Sequence, residues 1–375
     1  MPVTTGRWRV AIDVTCLAGA RSGVGHVTAA LVERIARRSD IDVVAYAVTR
    51  DRGFGREVAL PPGTALRVTG IPASVLFATW RRAAVGHIER WTGPIDVVHG
   101  TNFVVPPAHA PTLVTVHDVT FLREPGLVSR ASRRYAGLLR SAVRRGATVH
   151  VFSDTVRAEV IERLGCPPER VVRIHPGVAS TAAGDPAAGR RLAGGARYVL
   201  AIGTVEPRKN YPRLVAAFDR VAHGDPEVRL VVAGASGWGV DAFEDAVRAA
   251  THGDRVARLG YVTDDERRDL LAGAAALAYP SLDEGFGHPP LEAMRAGVPV
   301  VAARAGSLPE VLGDAALLPD PTSIDAIAAA LDEVLHDPST RDRLVARGAE
   351  QGARYSWDAA ADELAACYRR LAGGG

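Results

Sequence analysis

Lysine is almost missing from this 375-residue chain: of 45 basic residues, Lys209 alone is not an arginine. Cysteine is nearly as scarce, since Cys16, Cys166 and Cys367 are odd in number and widely spaced. That excludes a disulfide framework and a zinc ribbon and suits a reducing compartment. No window approaches 18 uninterrupted apolar residues, which argues against a membrane-spanning helix. Charges also interrupt the opening MPVTTGRWRVAIDV too early for a secretory signal. The expectation is a cytoplasmic protein, with peripheral contact at the inner membrane face left open. There is no G-x-S-x-G, no P-loop, and no His, Asp or Glu cluster with metal-ligand spacing. Asp40-Ile-Asp42 is formally a D-x-D, but it precedes a strand and reads as a solvated turn.

A 47% hydrophobic content is enough for a large core and for two domains. The net charge of +3 is too small to nominate nucleic acid as a partner. It conceals an asymmetry, however. Residues 1–184 hold 24 arginines against 14 acids, an excess of +10, whereas residues 185–375 hold 21 basic residues against 28 acids, or −7. In so lysine-poor a chain, Lys209 suggests a place where a compact, flexible ammonium is wanted and a planar guanidinium will not serve.

Short β-branched runs alternate with helical patterns, the rhythm of parallel sheets covered by helices. Runs at 9–14, 42–48, 96–100, 112–118, 148–153 and 171–176 read as buried strands. STAAGDPAAGRRLAGG (180–195) has little to bury and reads as a linker. The rhythm restarts at 198–204, 229–234, 255–261, 275–281 and 299–303, and a last helix covers 357–371. The fold class expected is α/β, with two doubly wound Rossmann-like domains: an N-terminal domain (1–183), a C-terminal domain (184–355) and a closing helix (356–375) that packs on one or the other. In such sheets ligands sit beyond the carboxyl ends of the strands.

The most informative of these turns is AYPSLDEGFGHPPLEAMRAGVPVV (278–301). A strand ends at Tyr279, a turn delivers Glu284, Gly285-Phe286-Gly287 exposes amides, and a Pro-initiated helix carries Glu292. Carboxylates accept pairs of sugar hydroxyls, and free amides hold phosphate or sugar oxygens, so a hydroxyl-rich phosphorylated ligand is the complement. A second turn, in AIGTVEPRKNYPRLVAAF (201–218), places Arg208 and Lys209 ahead of a helix, suited to a diphosphate whose charge grows as a bond breaks. In the first half, VTVHDVTF puts His117 and Asp118 at a strand end, and Arg21-Ser-Gly-Val-Gly-His26 opens the first helix. The latter carries Thr28 where a dinucleotide fingerprint needs Gly, so an NAD site is a poor reading.

The 278–301 stretch closely resembles the signature of the retaining glycosyltransferases of group 1 (family 4), and weaker likenesses run along nearly the whole chain. The resemblance implies a GT-B fold, with its two domains facing across a cleft. It also implies metal-independent transfer of a hexosyl group from a GDP-, UDP- or dTDP-linked nucleotide sugar to a glycan, lipid-linked or small-molecule acceptor. The nucleotide sugar is a substrate, and no cofactor is expected. By the same resemblance Glu284 contacts donor hydroxyls, Glu292 binds the ribose, and Gly285, Phe286 and Gly287 line the sugar and diphosphate. Gly203 opens the phosphate turn, where Arg208 replaces the Arg that many members carry after that glycine, and Lys209 receives the leaving group. Val262 lies in the loop beside the base. His117, with Asp118 as support, and the Gly23–Gly25 turn approach the donor from the other domain. The arginines at 130, 133, 134, 140, 144 and 145, beside the segment 76–91, attract either an anionic acceptor or an anionic membrane, or are ordinary solvated faces. A glycosyl phosphorylase, a nucleotide-sugar epimerase and a non-catalytic nucleotide-sugar binder are the rival readings.

Overall fold

A computed structural model describes residues 7–19, 23–178 and 184–374. The chain divides into two compact units. The first takes residues up to 123, 130–177 and 356 onward; the second takes 124–129 and 178–355. Arg21 and Ser22 of the glycine-rich turn, and the start of the expected linker, fall outside the described residues.

The first unit is built on seven strands, β1 (Trp8–Asp13), β2 (Ile41–Ala47), β3 (Ala65–Val68), β4 (Val97–Gly100), β5 (Thr112–Val116), β6 (Thr148–Val151) and β7 (Val171–Arg173). They pair in parallel in the order β3-β2-β1-β4-β5-β6-β7. Strand β3 is not among the expected runs. It is four residues long, lies at the sheet edge and is only half-buried, so it carries no apolar run to read. The segment 76–91 is also not one helix. The helix Ala73–Arg82 stops, Gly86 turns with φ 73°, and a separate turn of helix covers Glu89–Thr92. Trp80 and Ile88 lie fully in the core.

The last helix, Trp357–Ala372, belongs to the first unit, where it packs on Gly23–Ala36. Arg34 pairs with Asp358 at 3.0 Å, Arg369 with Asp40 at 2.5 Å, and Arg38 with Asp362. Beneath these exposed pairs runs a buried polar chain. Tyr368 Oη lies 2.7 Å from His99 Nδ1, and His99 Nε2 lies 2.7 Å from Thr115 Oγ1. That oxygen is 2.9 Å from His150 Nδ1, and His150 Nε2 is 3.1 Å from the Ile174 carbonyl. Because the carbonyl can only accept, neutral rings fix the direction of every step: Tyr368 donates to His99, His99 to Thr115, Thr115 to His150, and His150 to Ile174. Burial lowers the pKa of both histidines, His150 to about 4 and His99 well below the usual value, which keeps the rings neutral.

The second unit has five parallel strands, β8 (Arg197–Ile202), β9 (Val228–Ala233), β10 (Val256–Gly260), β11 (Ala276–Tyr279) and β12 (Val300–Ala302), in the order β10-β9-β8-β11-β12. Helices Tyr211–Gly224 and Ile324–His336 close one side of its core with Leu214, Phe218, Leu331 and Leu335. The expected linker is in fact partly structural. Pro186–Leu192 is a helix, capped by Asp185 through the Ala187 amide, and it lies against Asp264–Gly273. Its Ala-Gly composition serves close approach, since a Cβ on Gly189 would sit 2.0 Å from the Asp269 carbonyl oxygen. Successive strands are added toward one edge from β8 to β10 and toward the other from β11 to β12, so the strand order switches between the neighbours β8 and β11, the place where doubly wound sheets open a crevice.

Candidate active site

Both turns singled out in the second half of the chain leave these two adjacent strands. After β8 the chain passes Gly203 and enters one 3-10 turn, Pro207–Lys209. Asn210 then takes a left-handed conformation (φ 59°) and starts the next helix, its side-chain amide donating to the carbonyls of Pro280 and Pro321 at 3.0 and 2.8 Å. Those bonds fasten the β8 turn to the β11 turn. Leu282 completes the attachment by donating its amide to the Arg208 carbonyl at 2.8 Å.

This fastening brings Glu284 onto both cations. Lys209 Nζ lies 2.6 Å from Glu284 Oε1 and 2.7 Å from the Tyr279 hydroxyl; Arg208 Nη1 lies 2.8 Å from Glu284 Oε2. Lys209 and Glu284 retain only 7% and 8% exposure. Burial pushes the Glu284 carboxyl up, but Arg208 and Lys209 outweigh it and hold the group at about 2. Burial likewise pulls the Lys209 ammonium below the usual lysine range, with Glu284 opposing. The turn lies close against the lysine stem: Gly203 has φ 146°, and a Cβ there would sit 3.0 Å from Lys209 Cε.

The remaining expected residues fall into three places. Gly285, Phe286 and Gly287 are buried beyond Glu284 and lead into the helix His288–Arg295, with Gly287 at its N-cap in a left-handed conformation. Glu292 lies in that helix and pairs with Arg267, on the helix Asp264–Gly273 that follows β10; burial raises its carboxyl and Arg267 opposes the rise. Val262 is half-buried in the turn between β10 and that helix. In the first unit, His117 and Asp118 follow β5. His117 Nε2 donates to the Thr101 carbonyl at 2.9 Å, and its ring lies edge-on to Phe103 and Phe152. Asp118 accepts from the Thr120 amide at 3.0 Å, starting a short helix. Gly23 is exposed and Gly25 buried in the first turn of their helix. Asp40 and Asp42, the formal D-x-D, are occupied by ion pairs with Arg38, Arg369 and Arg9. Among the described residues no group of three His, Cys, Asp or Glu side chains could hold a metal ion.

Sequence reading missed three contributors. Glu206 holds Arg208 with one oxygen at 2.8 and 3.1 Å. Tyr279 reads as a strand residue, and Arg267 as one charge on a polar helix. Only Glu206 had a usable signal, since an acid two residues before an arginine in a tight turn can fold back onto it.

The family model described as "Glycosyl transferases group 1" matches residues 188–351, and "Glycosyltransferase Family 4" matches 21–181. The chain belongs to the group 1 glycosyltransferases. It is similar to the O-antigen chain mannosyltransferase B of Escherichia coli, at 34% identity over 73% of this chain and 74% of the relative. Among solved structures, the sucrose-phosphate synthase (tll1590) from Thermosynechococcus elongatus matches with a TM-score of 0.79 at 20% identity, over 98% of this chain and 100% of that one. Anabaena Alr3699/HepE in complex with UDP-glucose matches with 0.73 at 18% identity, over 96% and 98%. These likenesses show the GT-B class of two-domain α/β fold.

Proposed function

We propose that the chain transfers a hexosyl group from a nucleoside-diphosphate sugar with retention of anomeric configuration and without a metal. The observation that carries this reading is the buried set of Lys209, Arg208 and Glu284 at the carboxyl ends of β8 and β11. An ionised carboxylate beside an ammonium can take sugar hydroxyls while the ammonium meets a diphosphate oxygen, and a donor whose leaving group gains charge uses both. Glu292 accepts ribose hydroxyls, the Gly285–Gly287 amides line the sugar and diphosphate, and the Val262 turn flanks the base. His117 is the first-unit residue that serves the transferring sugar, with Gly23 and Gly25 beside the diphosphate. Same-face attack as the diphosphate leaves, with that group taking the acceptor proton, requires no covalent nucleophile. A GDP-, UDP- or dTDP-linked donor suits the site, and a mannosyl group and glycan acceptor are supported by the name of the Escherichia coli relative.

The first unit's charge supports an anionic acceptor or membrane surface on the cytoplasmic side. Helices Ala73–Arg82 and Tyr135–Arg144 pack together and expose Arg81, Arg82, Arg140 and Arg144. No acid occurs in 70–88 or 125–153. Because Trp80 points into the core, this face suits electrostatic contact more than insertion. No helix among the described residues is long and apolar enough to cross a membrane.

The test is Glu284→Gln, assayed with a panel of nucleotide sugars by nucleotide release and product analysis. Gln is chosen because it keeps the volume of the side chain and an acceptor oxygen for Lys209, whereas Ala would remove both the acceptor and the packing around it. Turnover like that of the wild type in a folded Glu284→Gln protein would end the proposal.

A further inference from the structure

We propose that Glu206 and Arg208 form a positioning pair that holds Glu284, leaving the donor diphosphate to Lys209. The inference rests on the function proposed above and reassigns one of its two cations. Adjacent in sequence, Arg208 and Lys209 are held in different ways. Each of the three guanidinium nitrogens of Arg208 has a protein acceptor: Nε and Nη2 donate to Glu206 Oε1 at 3.1 and 2.8 Å, and Nη1 donates to the Asp283 carbonyl and Glu284 Oε2, both at 2.8 Å. A rigid fork spread over these three residues is a clamp on the turn that carries Glu284. Turning Arg208 to face a diphosphate would abandon Glu206, whose side chain is only 12% exposed, and release the Asp283 carbonyl. Lys209 is differently placed. Its ammonium has three donors, and the structure gives it two acceptors, Glu284 Oε1 and the Tyr279 hydroxyl.

Charge leads to the same division. Glu206, Arg208, Glu284 and Lys209 together sum to zero, so the pocket offers a doubly negative diphosphate no excess positive charge; it offers one mobile donor. Glu284 must meanwhile stay ionised and oriented to take sugar hydroxyls, and the clamp supplies both conditions. With Arg208 gone, one of the two cations that offset burial is lost, and the carboxyl moves up from about 2.

The test compares Arg208→Gln, Arg208→Lys and Lys209→Met with the wild type in three measurements. The first is calorimetric affinity for UDP, GDP, dTDP and ADP. The second is turnover of the matching nucleotide sugar against pH. The third is titration of Glu284 by 13C NMR of selectively labelled glutamate, with Glu284→Gln giving the assignment. For the nucleotide the wild type binds, Arg208→Gln is expected to keep affinity within about threefold, whereas Lys209→Met loses about tenfold or more, the value of one charge-assisted hydrogen bond. Turnover of Arg208→Gln falls about 10²-fold, as expected for a misplaced reacting group, and its acid limb moves to higher pH. Arg208→Lys keeps the charge without the fork and does not restore turnover. Equal loss of nucleotide affinity in Arg208→Gln and Lys209→Met would overturn the inference, and so would an unmoved Glu284 titration. If the wild type binds none of the four nucleotides, the proposed function and the diphosphate half of this inference fall together. The titration still decides whether Arg208 holds Glu284.

Discussion

Both units bury polar side chains near the carboxyl ends of their strands, but they do so in opposite ways. The first unit buries neutral ones: His99, Thr115, His150 and Tyr368 pass hydrogen bonds in one direction to a backbone carbonyl. The second buries charged ones: Lys209, Arg208, Glu206 and Glu284, with Arg267 and Glu292 close by in the sequence of elements. A neutral chain is satisfied within the protein and needs no ligand. A set of fixed charges keeps donors and acceptors oriented for something that arrives, at a cost in desolvation that a purely structural core would avoid. The difference supports the proposal that the second unit receives an anionic, hydroxyl-rich molecule.

The largest expected effect breaks the charged side of this contrast. Glu284→Gln is expected to lower transfer about 10²–10³-fold, in line with the loss of one preorganised electrostatic contact. Circular dichroism should show both units folded, and urea unfolding should give a first unit of unchanged stability.

Acidification discriminates between the units next. His150 is held to about 4 against 6.5 unfolded, and His99 and His117 are also lowered, chiefly by burial. Between about pH 6.5 and 4 the unfolded chain therefore binds protons that the folded first unit refuses, and its stability falls as pH falls. For His150 alone the loss is about 3 kcal/mol. Asp13 acts with the opposite sign. Burial raises it to about 6, so it takes a proton in the folded state first and returns part of the loss over the same window. Three histidines against one carboxyl leave the first unit acid-labile. Glu284, held at about 2, contributes stability that is complete above the unfolded glutamate value near 4.5 and is lost only as pH falls toward 2. Denaturant unfolding from pH 7 to 4.5, followed by probes in each unit, should show the first unit weakening first. Simultaneous loss would contradict the comparison.

Tyr368→Phe removes the donor at the head of the relay and leaves His99 Nδ1 unpaired, an expected cost of about 1–3 kcal/mol in thermal or urea unfolding. Asp358→Ala, whose carboxylate is 86% exposed beside Arg34, sets the floor at about 0–0.5 kcal/mol.

How much of this was legible beforehand depended on whether a residue's partners were close in the pattern or brought together by folding. Strands β8 and β11 announced themselves as short apolar runs, and Glu284 and Glu292 by a long motif. Lys209 stood out through the rarity of its type, and its partnership with Glu284 followed once the order β8-β11 was known. Strand β3 was invisible because an edge strand half open to solvent needs no apolar run. The stretch 180–195 misled because small residues signal either a loop or two helices in close approach, and only the position of Asp269 decides between them. Glu206 left a local signal, but the grip of Arg208 on Glu284 could not be read, because it depends on a turn that Asn210 fastens to the carbonyls of Pro280 and Pro321. The halting of helix Ala73–Arg82 was equally hidden, since Trp80 and Ile88 share a buried side only after the chain has turned at Gly86.

The helix Trp357–Ala372 makes the first unit a discontinuous one, interrupted by the whole of the second. During synthesis its sheet is translated early, but Tyr368, which supplies the first hydrogen bond of the relay, follows 269 residues later than its partner His99. The second unit is contiguous apart from one short segment, so it can mature on the ribosome while the earlier-made unit waits for its cover. A nascent chain stalled before residue 356 would therefore carry a finished second unit and an unsealed first one, the state in which chaperone dependence would be greatest.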